Sequence, residues 1–155
     1  MKQDLIKADF ADDTITMPSI GFTARVCIDR TATDGRATLI ETTDRPGCGA
    51  PLHRHLSQTE IYHVMTGRYL FEVDGVRILA HPGQTVVAKA GCTHRFVNIG
   101  NETSRMLILV TPGLDAEAFF GELRGLVADG RPHPDALRDF GERWDVEFAP
   151  SAPLA

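Results

Sequence analysis

The sequence predicts an all-β chain of antiparallel strands followed by two short helices, and three features carry that prediction. Short runs rich in β-branched and apolar residues follow one another from Thr14 to Val110, separated by Gly-, Pro-, Asn- and Asp-containing turns. Val73-Asp74-Gly75-Val76 sets an Asp-Gly pair between two such runs, the strongest hairpin signal in the chain. After Asp115 the apolar residues recur at helical rather than strand spacing. Many short strands at close spacing mean an antiparallel sandwich or barrel.

Taken in order, residues 1–13 read as a polar N-terminal arm, with charges at Lys2, Asp4, Lys7 and Asp9 and no apolar segment of the signal-peptide kind. Residues 14–112 are the β-domain. Its expected strands cover Phe22–Ile28, Ala37–Thr42, Glu60–Met65, Tyr69–Val73, Val76–Ala80, Thr85–Ala88, His94–Ile99 and Met106–Val110. Asp44-Arg45-Pro46-Gly47 reads as a turn. Residues 113–155 form a helical extension of the same domain. Phe119, Phe120, Leu123, Leu126 and Val127 make one apolar stripe behind Asp115 as N-cap. Leu137, Phe140 and Trp144, with Val146 as a further candidate, make a second, with Pro134 in its first turn. Both stripes read as core or lid packing, and Pro150–Ala155 as a loose end.

A chain of 155 residues fits one domain with a real core. Its net charge of −5, without a basic run, gives a nucleic acid or an anionic membrane no electrostatic hold. No apolar run approaches the roughly 20 residues that span a bilayer. The three cysteines, Cys27, Cys48 and Cys92, are odd in number and lack C-x-x-C spacing, which suits reduced thiols in a cytoplasm. Glycine-rich phosphate loops, nucleophile elbows and H-E-x-x-H are all missing, so phosphate-cradling, serine- or cysteine-nucleophile and metalloprotease chemistry have no support.

The chemistry concentrates between Gly47 and Asn98. His53-x-His55 places two imidazoles on one face if the segment is a strand, and Glu60 follows five residues later. His94 lies in another strand-like run. Neutral imidazole and carboxylate suit Zn, Fe, Ni, Cu or Mn. By strand alternation Tyr62 shares a face with Glu60, and Phe96 and Asn98 share one with His94. Tyr62 and Phe96 are therefore expected to line the cavity, Tyr62 either orienting a substrate oxygen or filling volume. Asn98 reads as a structural hydrogen-bond partner. His63 falls on the opposite face, and His81 and His133 read as surface histidines. Arg45 and Arg54 read as solvated, and thiolate ligation by Cys48 or Cys92 is not needed once four ligands are in hand.

Written out, the first block is Gly47, His53-x-His55, Glu60 and Gly67, and the second is Gly83, Gly91, His94 and Asn98. These resemble the two signature motifs of the cupin superfamily, G-x5-H-x-H-x3,4-E-x6-G and G-x5-P-x-G-x2-H-x3-N. The one departure is Lys89 at the proline of the second motif, which is expected to reshape a turn at the rim and leave the ligands intact. The tail resembles, more loosely, that of small single-domain bacterial cupins described as quercetin dioxygenase-like.

The resemblance implies a double-stranded β-helix (a jelly-roll or cupin barrel) with one divalent metal, Fe, Mn, Ni or Zn, held by His53, His55, Glu60 and His94. It also implies a homodimer, for which the N-terminal arm and the Phe22–Ile28 strand are candidates. Three neutral imidazoles and one carboxylate around a divalent ion leave a net charge of +1 and open positions, as a catalytic site requires. The activity expected first is a metal-dependent dioxygenase acting on a small organic molecule, with Glu60 and Tyr62 as catalytic residues and Glu60 able to double as a base. A redox-neutral isomerase, cyclase or decarboxylase comes second, and a non-catalytic small-molecule binder third.

Overall fold

The computed structural model describes residues 14–150 and Leu154. The expected polar arm, residues 1–13, and most of the loose end lie outside the described residues. Eleven strands and two helices follow in chain order: β1 (Thr14–Met17), β2 (Phe22–Ile28), β3 (Thr38–Asp44), β4 (His53–Arg54), β5 (Thr59–Thr66), β6 (Tyr69–Val73), β7 (Val76–Ala80), β8 (Thr85–Ala88), β9 (His94–Asn98), β10 (Ser104–Thr111), α1 (Ala116–Leu126), α2 (Pro134–Trp144) and β11 (Glu147–Phe148). They form two antiparallel sheets, ordered β1-β2-β3-β10-β5-β8 and β11-β4-β9-β6-β7. The crossovers between them make the double-stranded β-helix that the sequence pattern suggests. The barrel is not closed: among the described residues no strand ladder joins one sheet to the other.

Alternation decides which side chains face inward. On β3, Thr38, Ile40, Thr42 and Asp44 are buried, and on β10, Ser104, Met106, Ile108 and Val110. Strand β9 turns His94, Phe96 and Asn98 inward, and β6 adds Tyr69 and Phe71. The middle of the interior is a cluster of rings: Phe96 stands 5.7 Å from Tyr62, 5.8 Å from Tyr69 and 5.8 Å from Phe71. Tilted and edge-on contacts of this kind add about 0.5–1.5 kcal/mol per pair to the burial itself.

Local chemistry explains the turns. Asp74 and Gly75 both take positive φ, 47° and 80°, as a two-residue hairpin between β6 and β7 requires. Gly67 sits at φ +80°, and a Cβ there would stand 1.7 Å from Ser104 Oγ, so both conformation and space demand glycine. At the departure from the motif, Lys89 C=O accepts from Cys92 N–H at 3.0 Å, so the turn through Ala90-Gly91 forms without proline.

Two expectations are corrected. Asp44, read as the first residue of a turn, is instead the buried last residue of β3, because its side chain continues the inward alternation of that strand, and the turn starts at Arg45, whose carbonyl accepts from Cys48 N–H at 3.0 Å. Strand β2 is not a free edge: β1 and β3 flank it on both sides, which leaves β1 as the outer strand of that sheet.

The helices cover one end of the sandwich. Asp115 caps α1 by accepting from Ala118 N–H, and His133 caps α2, whose first residue is Pro134. Phe119 and Phe120 of α1 pack toward the sheets, with Phe120 5.7 Å from Phe22, and Phe119 also meets Phe140 and Trp144 of α2. The chain then leaves α2 through Asp145 into β11, which pairs with β4 and so ties the tail to the first histidine strand.

Candidate metal centre

His53, His55, Glu60 and His94 converge under the helix-covered end, their ligand atoms all within 4.8 Å of one another. Each element contributes by a different route. His53 opens β4 and pairs in register with His94, the first residue of β9. Glu60 faces inward on β5 beside Val110 of β10. His55 lies just past the end of β4, so strand alternation alone does not aim it. It is aimed by the tail: its Nδ1 donates to the carbonyl of Asp145 at 2.9 Å. Asp145 holds a left-handed backbone at the end of α2, and its carboxylate accepts from the N–H groups of Leu56 and Ser57.

The same arrangement recurs at the other two rings. His53 Nδ1 lies 2.7 Å from the Pro51 carbonyl and His94 Nδ1 lies 3.0 Å from that of Cys92. A carbonyl only accepts, so each Nδ1 carries a hydrogen and each Nε2 faces inward, donating to Glu60 when it is protonated and free to ligate an ion when it is not. The three Nε2 atoms stand 3.8, 3.5 and 2.7 Å from Glu60 Oε2. Three fixed imidazoles with outward Nδ1–H bonds, gathered on one buried carboxylate, are the donor set and the supporting shell that a divalent metal selects. The residues present fit such an ion.

Burial and company set the charges. Burial on its own raises the Glu60 carboxyl, but hydrogen bonding from His53, His55 and His94 outweighs it and holds the group well below the usual carboxylate range. Burial pushes His53 down; at His55 the burial effect is overcome by Glu60 and Asp145, which raise it. Tyr62 donates to Glu60 Oε2 at 2.5 Å, and burial together with that carboxylate pushes its phenol well above the ordinary value, so it stays a donor.

A cavity of about 110 Å³ lies against the cluster. Tyr62 and Phe96 line it, as strand alternation predicts, and so do Phe119 and Leu123 of α1 and Phe148 of β11, which no motif marked. Asn98 is structural, donating to the carbonyls of Asp44 and Glu102. His63 and His81 are exposed, and His133 serves as a helix cap. Arg54 pairs with Glu147 and Arg45 donates to the Pro18 carbonyl. Cys48 and Cys92 stand outside the cluster, Cys92 serving it through a carbonyl and not through sulfur. The residue missed by the sequence reading is Asp145, whose contribution to His55 is a backbone oxygen that no side-chain pattern reports.

Two antiparallel sheets around an inward-facing cluster of three histidines and a glutamate define a small β-sandwich able to hold a metal ion. Residues 40–110 match the Cupin domain model, so the β-sandwich core of this chain carries a cupin domain. An uncharacterized protein of Methanocaldococcus jannaschii is 29% identical over 77 residues, covering 50% of this chain and 62% of its own length. An epoxidase of Aspergillus terreus is 35% identical over 74 residues, covering 47% of this chain and 23% of its own length. The chain thus spans less than two thirds of either relative. The structure of a predicted oxalate decarboxylase from Thermotoga maritima superposes with a TM-score of 0.56 at 22% identity, over 58% of this chain and 79% of the other. That likeness is one of fold.

Proposed function

We propose that this cupin is a mononuclear metal enzyme acting on a small organic molecule, most simply as a metal-dependent oxygenase. The observation that carries the reading is the set of three histidines, each fixed through Nδ1 to a backbone carbonyl, whose Nε2 atoms meet Glu60 at the wall of an apolar cavity. His53, His55, Glu60 and His94 would hold the ion, which supplies Lewis acidity and open positions for a substrate oxygen and for dioxygen. Glu60, held ionised, acts as ligand and counter-charge. Tyr62 orients Glu60 through its hydroxyl. The apolar wall lowers the polarity around the reacting end, which strengthens the electrostatic contacts there. The Aspergillus terreus relative, named an epoxidase, supports oxygen chemistry over its matched half of this chain.

The test is oxygen uptake by protein reconstituted separately with Fe(II), Mn(II), Ni(II) and Zn(II), over a panel of diketones, phenols and flavonols. Uptake with a redox-active ion and none with Zn is the expected result; full turnover without oxygen would transfer the assignment to redox-neutral isomerisation, cyclisation or decarboxylation. That second reading draws on the Tyr62–Glu60 pair, whose 2.5 Å hydrogen bond is a ready path for a proton. We also propose a homodimer in a reducing, cytoplasmic compartment, in keeping with three free cysteines. Light scattering at twice the chain mass is the expected outcome, and a monomer would dispose of the dimer.

A further inference from the structure

The cavity beside the ligand cluster is uneven in a way that selects a chemistry. Its polar side chains are His53, His55, Glu60 and Tyr62, and the remaining walls are Phe, Ile, Leu, Val, Ala, Pro and Gly. Among the described residues no Lys, Arg, Asp, Asn, Gln, Ser or Thr side chain lines it. A phosphate, ammonium or second carboxylate held within this cavity away from the cluster would lose its water and meet no partner. Each hydroxyl buried there without a partner is penalised in the same way. Size narrows the choice further. The cavity's own space, about 110 Å³, approaches the roughly 150 Å³ of an apolar cavity that accepts benzene, and its walls at Ala50, Leu123 and Phe148 are shared with a wider neighbouring cleft that leaves room for a substituent.

From this we infer that the site takes a compact, uncharged compound about one ring in bulk, apolar except for an oxygen function at the end that meets Glu60, Tyr62 and the histidines. The inference deepens the metal-enzyme reading and rests on it for the role of that oxygen. The apolar body is recognised by Ile40, Ile108 and Val110 from the sheets and by Phe119 and Phe120 from α1. Sugars and sugar phosphates, whose polarity is spread over the whole molecule, are rejected by the same walls. The helical extension therefore acts as a specificity element as well as a cover.

The experiment is calorimetric titration with phenol, cyclohexanone, glucose and glucose 6-phosphate, each against metal-stripped and Zn-loaded protein. Phenol and cyclohexanone are expected to bind both forms at least tenfold more tightly than either sugar. Ala50, half-buried in the cavity wall, is the position to fill: Ala50→Leu should weaken phenol at least tenfold while one metal per chain is still bound. Leu123→Ala, on the half-buried side of α1, gives a second and milder readout, a shift of at least fivefold in favour of 2-naphthol over phenol. Sugar or sugar phosphate bound as tightly as phenol, or phenol indifferent to both substitutions, would overturn the inference. Protein that takes up no metal yet still admits phenol, with Ala50→Leu shutting it out, would sink the metal reading and leave the ring-sized cavity standing. Metal bound while phenol and cyclohexanone are excluded would do the reverse.

Discussion

The interior holds two carboxylate–tyrosine pairs, one near each end, and their fates differ. Tyr62 donates to Glu60 at 2.5 Å and Tyr69 donates to Asp44 at 2.7 Å. Along β10, Val110 lies beside Glu60 and Ser104 beside Asp44, six residues apart, or roughly 20 Å of strand. Both tyrosines are buried and both phenols are pushed above their ordinary range. What separates the pairs is company. Glu60 has three imidazoles around it and stays ionised. Asp44 has two hydroxyls, Tyr69 and Thr42, and its Oδ1 has no hydrogen-bond partner, so burial drives its pKa up to about 6. The same pair of residue types can serve a metal ion where three imidazole nitrogens surround it. It is a buried structural acid where they do not.

Replacing Glu60 should break the contrast most completely. Glu60→Gln removes the one negative charge from the cluster, and metal affinity should fall at least about a hundredfold, read by competition with a chelator. Asp44→Asn should leave metal content untouched and change the pH dependence of stability instead. Folded Asp44 keeps its proton up to about pH 6, whereas unfolded aspartic acid releases it near 3.8. Between those values the folded state binds more protons, so this group's contribution falls as pH rises from about 4 to about 6. The loss is on the order of 3 kcal/mol. Denaturant titrations at pH 4, 5, 6 and 7 should show the decline in wild type and a flatter profile in Asp44→Asn; equal slopes would remove Asp44 from the account.

The tyrosines sharpen the comparison at smaller scale. Tyr62→Phe should weaken metal binding about tenfold with little effect on unfolding, since an outer partner of a ligand is lost. Tyr69→Phe should do the opposite, costing about 1–3 kcal/mol of stability because a buried carboxyl loses its donor, with metal binding unchanged. Asp145→Ala is expected to be mildest. It frees the Leu56 and Ser57 amides and loosens the carbonyl behind His55, for a severalfold loss of metal affinity measurable in the same competition assay.

These pairs also show what a sequence can and cannot disclose. Strands β6, β7 and β8, the Asp115 cap of α1 and Pro134 at the start of α2 were legible because alternation, the Asp74-Gly75 hairpin and these end residues are local signals; the His133 cap of α2 was not. His53, His55, Glu60 and His94 were legible because spacing between motif glycines carries them, and the structure brings all four together. Asp44 was hidden because Asp before Arg-Pro-Gly has the chemistry of a turn, and only the inward register of β3 against β10 buries it. Strand β11 was hidden because two residues carry no period. The cavity walls on α1 and β11 looked like ordinary core, since an apolar residue that faces a cavity has the same pattern as one that faces a neighbour.

The end of the sandwich near Glu60 is expected to hold a metal, and the end near Asp44 is not. Elemental analysis of protein purified without a metal-binding tag, run side by side for wild type, His55→Ala and Asp44→Asn, tests it most directly. One divalent ion per chain in wild type and in Asp44→Asn, with the site emptied in His55→Ala, is the predicted result. Stoichiometric metal retained by folded His55→Ala would contradict it.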